Sequence, residues 1–175
     1  MFSKTAHVPI IKEIAKGMEA AGMNGAYLEL GIAKGHCFNS IAPHFKIVHA
    51  VDINLECYDK VCQVMRKKGS YFHEGTTDDY FEKGNKGQKF NLVFIDANHD
   101  FEYVRKDFVN SWNALKDNGI IILHDTYPPN KEYLDHCKDA YKINDFVTWA
   151  DMVTLPFYFG LTIVRKYKKH LAWMK

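Results

Sequence analysis

The sequence is poor in the features that mark specialised chains. Its four cysteines, Cys37, Cys57, Cys62 and Cys137, form no C-x-x-C pair. That argues against a zinc centre or a disulfide framework and fits a reducing cytoplasm. No apolar run approaches the ~20 residues needed to cross a bilayer, and the first residues hold no apolar stretch of signal-peptide length. Neither sign of charge dominates: 23 Lys and Arg against 21 Asp and Glu leave a formal +2. Electrostatics therefore give no reason to expect a nucleic-acid or membrane partner. The basic run 66–68 reads as the complement of a helix C-terminus, and the run 165–169 as a solvated tail. Internal repeats and linkers are also missing. With 175 residues, 47% hydrophobic and 25% charged, the chain suits one domain, 1–175, with a sizeable core.

Glycine is scarce where a dinucleotide site would need it. Between Ala26 and Asp52 the chain runs from a short apolar strand, Ala26 to Leu30, through a turn holding only Gly31 and Gly35, into a helix-compatible segment stopped by Pro43, then into a second apolar run, Ile47 to Val51, that ends in Asp52. Ala33 stands where the fingerprint G-x-G-x-x-G has its middle glycine. What remains is strand, tight turn, helix, strand, acid. Glycines let backbone approach a ligand closely, a helix N-terminus offers unpaired N–H groups, and an acid at the tip of the next strand can accept both ribose hydroxyls. The unit suits a nucleoside-containing cofactor.

Along the rest of the chain, Ile11, Ile14, Ala15 and Met18 mark a leading helix that ends at 21–25. Asn54 is expected to cap a helix with Leu55, Tyr58, Val61 and Met65 on one face, closed by Gly69. Further strands are expected at 70–73, 91–95 and 120–123. Residues 74–79 read as a turn and 84–89 as a polar loop. Phe101, Val104, Phe108, Trp112 and Leu115 form one helical stripe, read as core. A helix follows from about Lys131, and two strands, 152–155 and 160–165, close the chain around 156–159. Strands alternating with helices imply a Rossmann-like, doubly wound α/β fold with a mostly parallel sheet and a C-terminal antiparallel strand. Ligands in such sheets bind at the carboxyl ends of strands, and Asp52, Gly75-Thr76, Asp96 and Asp125 all follow such ends.

Asp96 and Asp125 close strands expected to be neighbours, about 5 Å apart. Their carboxylates could share one cation such as magnesium or manganese. Asp125 alternatively caps the turn before Tyr127-Pro128. His99 could be a general base, a ligand or a helix-start residue. His124 could be a ligand or a buried, hydrogen-bonded histidine, and Lys34 reads as solvent-exposed.

The phrase I-D-A-N-H-D-F-E-Y after the fourth strand and L-H-D after the fifth, together with E-x-G-x-x-x-G and Asp52, resemble the small-molecule, catechol O-methyltransferase-like branch of class I S-adenosylmethionine (SAM) methyltransferases. The resemblance covers roughly residues 27–166. It implies that Glu29, Gly31 and Gly35 surround the methionine half of SAM and that Asp52 holds the ribose. Ile53 would lie against adenine with Thr76 or Thr77 near it, and Asp96 would sit at the methyl-transfer centre. The chain departs from that group at His36 and Cys37, where tyrosine and serine are common, at Ala97, and at Thr126, where a metal-binding asparagine is usual. The expected activity is methylation of a small-molecule hydroxyl on a sugar or phenol. Rival readings are an NAD-type oxidoreductase and a non-catalytic binding or assembly module. The chain leaves little room for a substrate cap. Acceptor recognition would fall to the leading helix, to 127–147, or to a second subunit of a homo-oligomer.

Overall fold

Strands β1 (Ala26–Leu30) and β4 (Phe90–Ile95) are buried along their whole length, as continuous apolar runs in a parallel sheet should be. They form the centre of a seven-stranded sheet with β2 (Ile47–Asp52), β3 (Ser70–Glu74), β5 (Leu115–His124), β6 (Asp151–Leu155) and β7 (Leu161–Arg165). The order is β3-β2-β1-β4-β5-β7-β6. Neighbours from β3 to β5 are parallel, and β7 runs antiparallel to both β5 and β6, so one reversed strand completes the sheet. The computed structural model describes residues 6–67, 69–157 and 159–167. Lys68 of the first basic run, Lys168 and Lys169 of the second, and Tyr158 of the closing turn lie outside them.

Alternation along the strands divides the core between the two faces. Tyr27, Leu92, Phe94 and Ile122 pack with Ile11, Ala15 and Met18 of α1 (Val8–Ala20) and with Phe38 and Ile41 of α2 (His36–Ile41). Leu28, Leu30, Val93, Ile121 and Leu123 pack with Val104 and Phe108 of α5 (Phe101–Ala114). Each such side chain fully removed from water contributes roughly 1.5–3 kcal/mol.

Four local expectations change. Helix α3 (Glu56–Met65) buries Cys57, Val61 and Met65, whereas Leu55 and Tyr58 are exposed. The face turns about one cysteine that the apolar stripe had not included. The Asn54 side chain does take the Glu56 N–H at 2.9 Å. Residues 74–79 are more than a turn: α4 (Thr77–Asp79) continues into a widened π turn, Tyr80–Gly84, that buries Tyr80. Leu115 belongs to β5 rather than to the helix before it, pairing with Phe90. The end of α5 is closed by side chains. Lys89 Nζ donates to the Asn113 carbonyl at 2.7 Å, and Lys166 Nζ to those of Trp112 and Leu115 at 2.9 and 3.1 Å, satisfying carbonyls a helix end leaves unpaired. The segment expected as one helix from Lys131 is broken into short turns, including α6 (Leu134–Cys137) and α7 (Ile143–Phe146).

Candidate active site

A cleft of about 800 Å³ opens at the carboxyl ends of β1, β2 and β4, lined among others by Gly31, Asp52, Ile53, Thr76, Asp96 and His99. Gly31 has φ +88, and a Cβ there would overlap the Asp96 backbone carbonyl. Only glycine permits that contact between the first turn and the end of β4. The Asp52 carboxylate is fixed by backbone. Its Oδ2 accepts the N–H groups of Ile32 at 2.8 Å and Ala33 at 3.2 Å, and its Oδ1 accepts that of Asn54 at 2.9 Å. Of a carboxylate's roughly four acceptor sites these three donors take three, which leaves room on Oδ1 for a hydroxyl donor. Ile53, beside it, is 75% exposed, an apolar surface at the mouth of the cleft. Thr76 and Thr77 line the same wall. The Thr76 hydroxyl caps α4, accepting from Asp79 N at 3.1 Å.

Two residues expected at the cofactor do not line this cleft. Glu29 is 1% exposed and buried beside Tyr27, whose hydroxyl donates to it. Strand alternation puts it on the same face as Tyr27. Burial, with repulsion from Asp96, pushes its carboxyl up to about 8 against the pull of the Tyr27 bond. Gly35 (φ +71) starts α2, and its Cβ would come 2.9 Å from Val61 Cγ1. Its work is the close approach of α2 to α3.

At the other end of the cleft the structure brings Asp96, His99, His124 and Asp125 together. His99 Nε2 lies 2.9 Å from Asp125 Oδ2 and 3.6 Å from Asp96 Oδ1. His124 Nδ1 lies 3.2 and 3.3 Å from the same two oxygens. Asp125 is 1% exposed and holds a left-handed backbone, φ +59, a conformation that costs a non-glycine residue on the order of 1–3 kcal/mol. Despite these short separations, buried Asp125 Oδ2 and His124 Nδ1 have no hydrogen-bond partner of acceptable geometry. Burial alone would lower both imidazoles. The carboxylates instead raise His99 and His124 to about 10, while the imidazoles hold Asp96 and Asp125 below the usual carboxylate range against burial.

His99 therefore does not fit the role of general base. Its Nδ1 faces the His136 carbonyl at 2.8 Å, its Nε2 faces the two carboxylates, and neither nitrogen is free for an acceptor proton. Thr126 is fully buried and bonded to Thr162 at 2.8 Å, so its hydroxyl serves the β7 side rather than the cluster. Sequence reasoning missed His136, whose Nε2 lies 3.6 Å from Asp125 Oδ1, and His7, whose ring centroid stands 4.2 Å from that of His124. Neither belongs to a recognisable spacing pattern, so only the fold reveals them.

This sheet order, with an acid closing β2 and the cleft above β1 and β4, is that of the class I SAM-dependent methyltransferases. The chain belongs to the methyltransferase-domain family, whose profile matches residues 28–126. Among solved structures, a protein assigned as a caffeoyl-CoA O-methyltransferase from Staphylococcus aureus superposes with a TM-score of 0.74 at 18% identity, over 95% of this chain and 85% of that one. An O-methyltransferase from Bacillus cereus, solved with S-adenosylhomocysteine (SAH), gives 0.70 at 15%, over 95% and 83%. The O-methyltransferase TomG from Streptomyces achromogenes, solved with SAM, gives 0.69 at 12%, over 91% and 80%. No curated protein sequence matches the chain.

Proposed function

We propose that this protein transfers the methyl group of SAM to a hydroxyl of a small molecule, a sugar or a phenol, with a divalent cation held by Asp96 and Asp125. The observation that carries this reading is one cleft with a backbone-fixed acid, Asp52, at one end and an under-bonded acid–imidazole cluster at the other. The whole chain, 1–175, acts as one cytoplasmic domain on a small-molecule acceptor, without nucleic acid or membrane. Among the described residues no helix is long and apolar enough to cross a bilayer. Acceptor contacts not made by this chain would come from a second copy.

Bound SAM would supply an electrophilic methyl on a sulfonium, passed to the acceptor oxygen as the carbon–sulfur electron pair returns to sulfur and the hydroxyl proton leaves to solvent. Such a displacement depends on alignment, and rigid positioning can account for ~7–11 kcal/mol of a barrier. Asp52 fixes the ribose end, held itself by three backbone donors. Gly31 keeps the turn against Asp96, so the cleft floor at the transfer point is backbone. A cation at Asp96 and Asp125 would lower the pKa of the acceptor hydroxyl.

A dinucleotide reading fits less well. The Ile32 and Ala33 N–H groups that would cradle a pyrophosphate already bond to Asp52. Titration calorimetry with SAM, SAH and NAD tests the cofactor. Micromolar SAM or SAH binding without NAD binding is expected, and the reverse would overturn the reading. A methyl-transfer assay on a panel of phenols and sugars separates an enzyme from a binding module.

A further inference from the structure

We infer that the cation site selects a first-row transition ion, manganese, iron, cobalt or zinc in the divalent state, over magnesium, because imidazoles supply part of its donor set. This rests on the reading above that a cation sits between Asp96 and Asp125. Four atoms face one another in a closed sequence: Asp125 Oδ2, His99 Nε2, Asp96 Oδ1 and His124 Nδ1. Successive separations are 2.9, 3.6, 3.3 and 3.2 Å. Donors bonded at ~2.1 Å to one ion stand ~3.0 Å apart in an octahedron and ~3.4 Å in a tetrahedron. The observed edges bracket those values.

The tautomer of His99 points the same way. A carbonyl can only accept, so Nδ1, 2.8 Å from the His136 carbonyl, carries the proton. Nε2 then faces the Asp125 carboxylate 2.9 Å away, where a proton on the ring, or a cation that displaces it, sits between the two atoms. An N–H donated to a carbonyl behind the ring is the usual support of a metal-bound histidine. The buried Asp125 Oδ2 and His124 Nδ1, without hydrogen-bond partners, show that the side chains do not satisfy one another. Around Asp125 the opposite oxygen is steadied by Cys137 Sγ and His136 Nε2, each 3.6 Å away. Two groups of potential ligands, His99 with Asp125 and His136 and Asp96 with His124 and Asp125, meet at this carboxylate. Magnesium favours oxygen and retains its waters. Imidazole favours zinc, iron, cobalt and nickel, and manganese accepts mixed sets.

The test uses the full chain stripped with chelator and dialysed. Cobalt(II) is titrated by visible absorption, where nitrogen coordination intensifies the ligand-field bands. Zinc(II), manganese(II) and magnesium(II) are titrated by calorimetry. A single transition ion should bind at least about tenfold more tightly than magnesium. His99→Ala should weaken it about tenfold or more while leaving magnesium affinity little changed, and Asp125→Asn should abolish binding of every ion. SAM affinity of each variant reports that it is folded. Magnesium binding as tight as cobalt or zinc, or cobalt spectra unchanged in His99→Ala, would overturn the selectivity and leave the cation reading standing. Failure of every ion to bind wild-type protein that still binds SAM would overturn both the selectivity and the cation.

Discussion

Replacing Glu29 by glutamine should change the pH dependence of stability more than the stability itself. Glu29 is buried beside Tyr27, and its carboxyl is raised from 4.5 to about 8, chiefly by burial. Between those values the folded chain keeps a proton that the unfolded chain releases. The sign follows: this group's stabilisation is complete below pH 4.5 and is lost as pH rises through 8. Each pKa unit corresponds to ~1.36 kcal/mol, so about 3–5 kcal/mol of stability should disappear between pH 4.5 and 8, a large share of the ~5–15 kcal/mol typical of a domain. Glutamine keeps the volume and an acceptor for the Tyr27 hydroxyl and has no proton to lose. The Glu29→Gln protein should therefore match wild type near pH 5 and exceed it by several kcal/mol near pH 8. Urea unfolding of chelator-treated protein across that range measures the difference. Asp107, buried and raised to about 7, acts in the same direction but is present in both proteins and cancels. Parallel stability curves for the two proteins would refute the reasoning and show Glu29 ionised in its pocket.

Asp52→Ala removes an acceptor of charge-assisted bonds worth roughly 1.5–3 kcal/mol each and should weaken SAM by about tenfold or more; calorimetry showing equal affinity would take Asp52 out of the site. Gly31→Ala forces a Cβ into the Asp96 carbonyl at positive φ and should cost more than ~2 kcal/mol along with cofactor binding, as thermal melts and calorimetry would show. Chelation should abolish methyl transfer with SAM affinity unchanged, and restored ion should recover it; turnover indifferent to chelator would leave positioning alone as the mechanism.

The strands were legible because their apolar runs are short and each of three of them ends in an acid: Asp52, Asp96 and Asp125. The parallel-sheet rule then carries those acids to one edge. Strand alternation puts Glu29 on the buried face with Tyr27, a signal that the glycine motif beside it outweighs. The turn 77–84 escaped because Tyr80 is its one fully buried side chain amid Asp78, Asp79, Glu82 and Lys83, too little for a periodic stripe. The sequence leaves His99 open as base, ligand or helix-start residue, because the carbonyl that its Nδ1 faces comes from His136, 37 residues away. Contacts of that kind are products of tertiary structure and leave no trace in local spacing.

The hydroxyl cluster behind Asp125 bears on when the site comes into being. Thr126 is gripped by Thr162 through its hydroxyl and by Asn144 through its carbonyl, and Thr154 joins both partners. Every residue of the acid–imidazole cluster except His136 has been synthesised by position 125, and β7 arrives some forty residues later. During translation at ~5–20 residues per second, the nascent chain carries Asp125 for about two to eight seconds before the strand that fixes its neighbour exists. The three backbone partners of Asp52 all lie at or before residue 54. The two ends of one cleft therefore gain their supports at different points of synthesis, and Asp125 waits for the last strand.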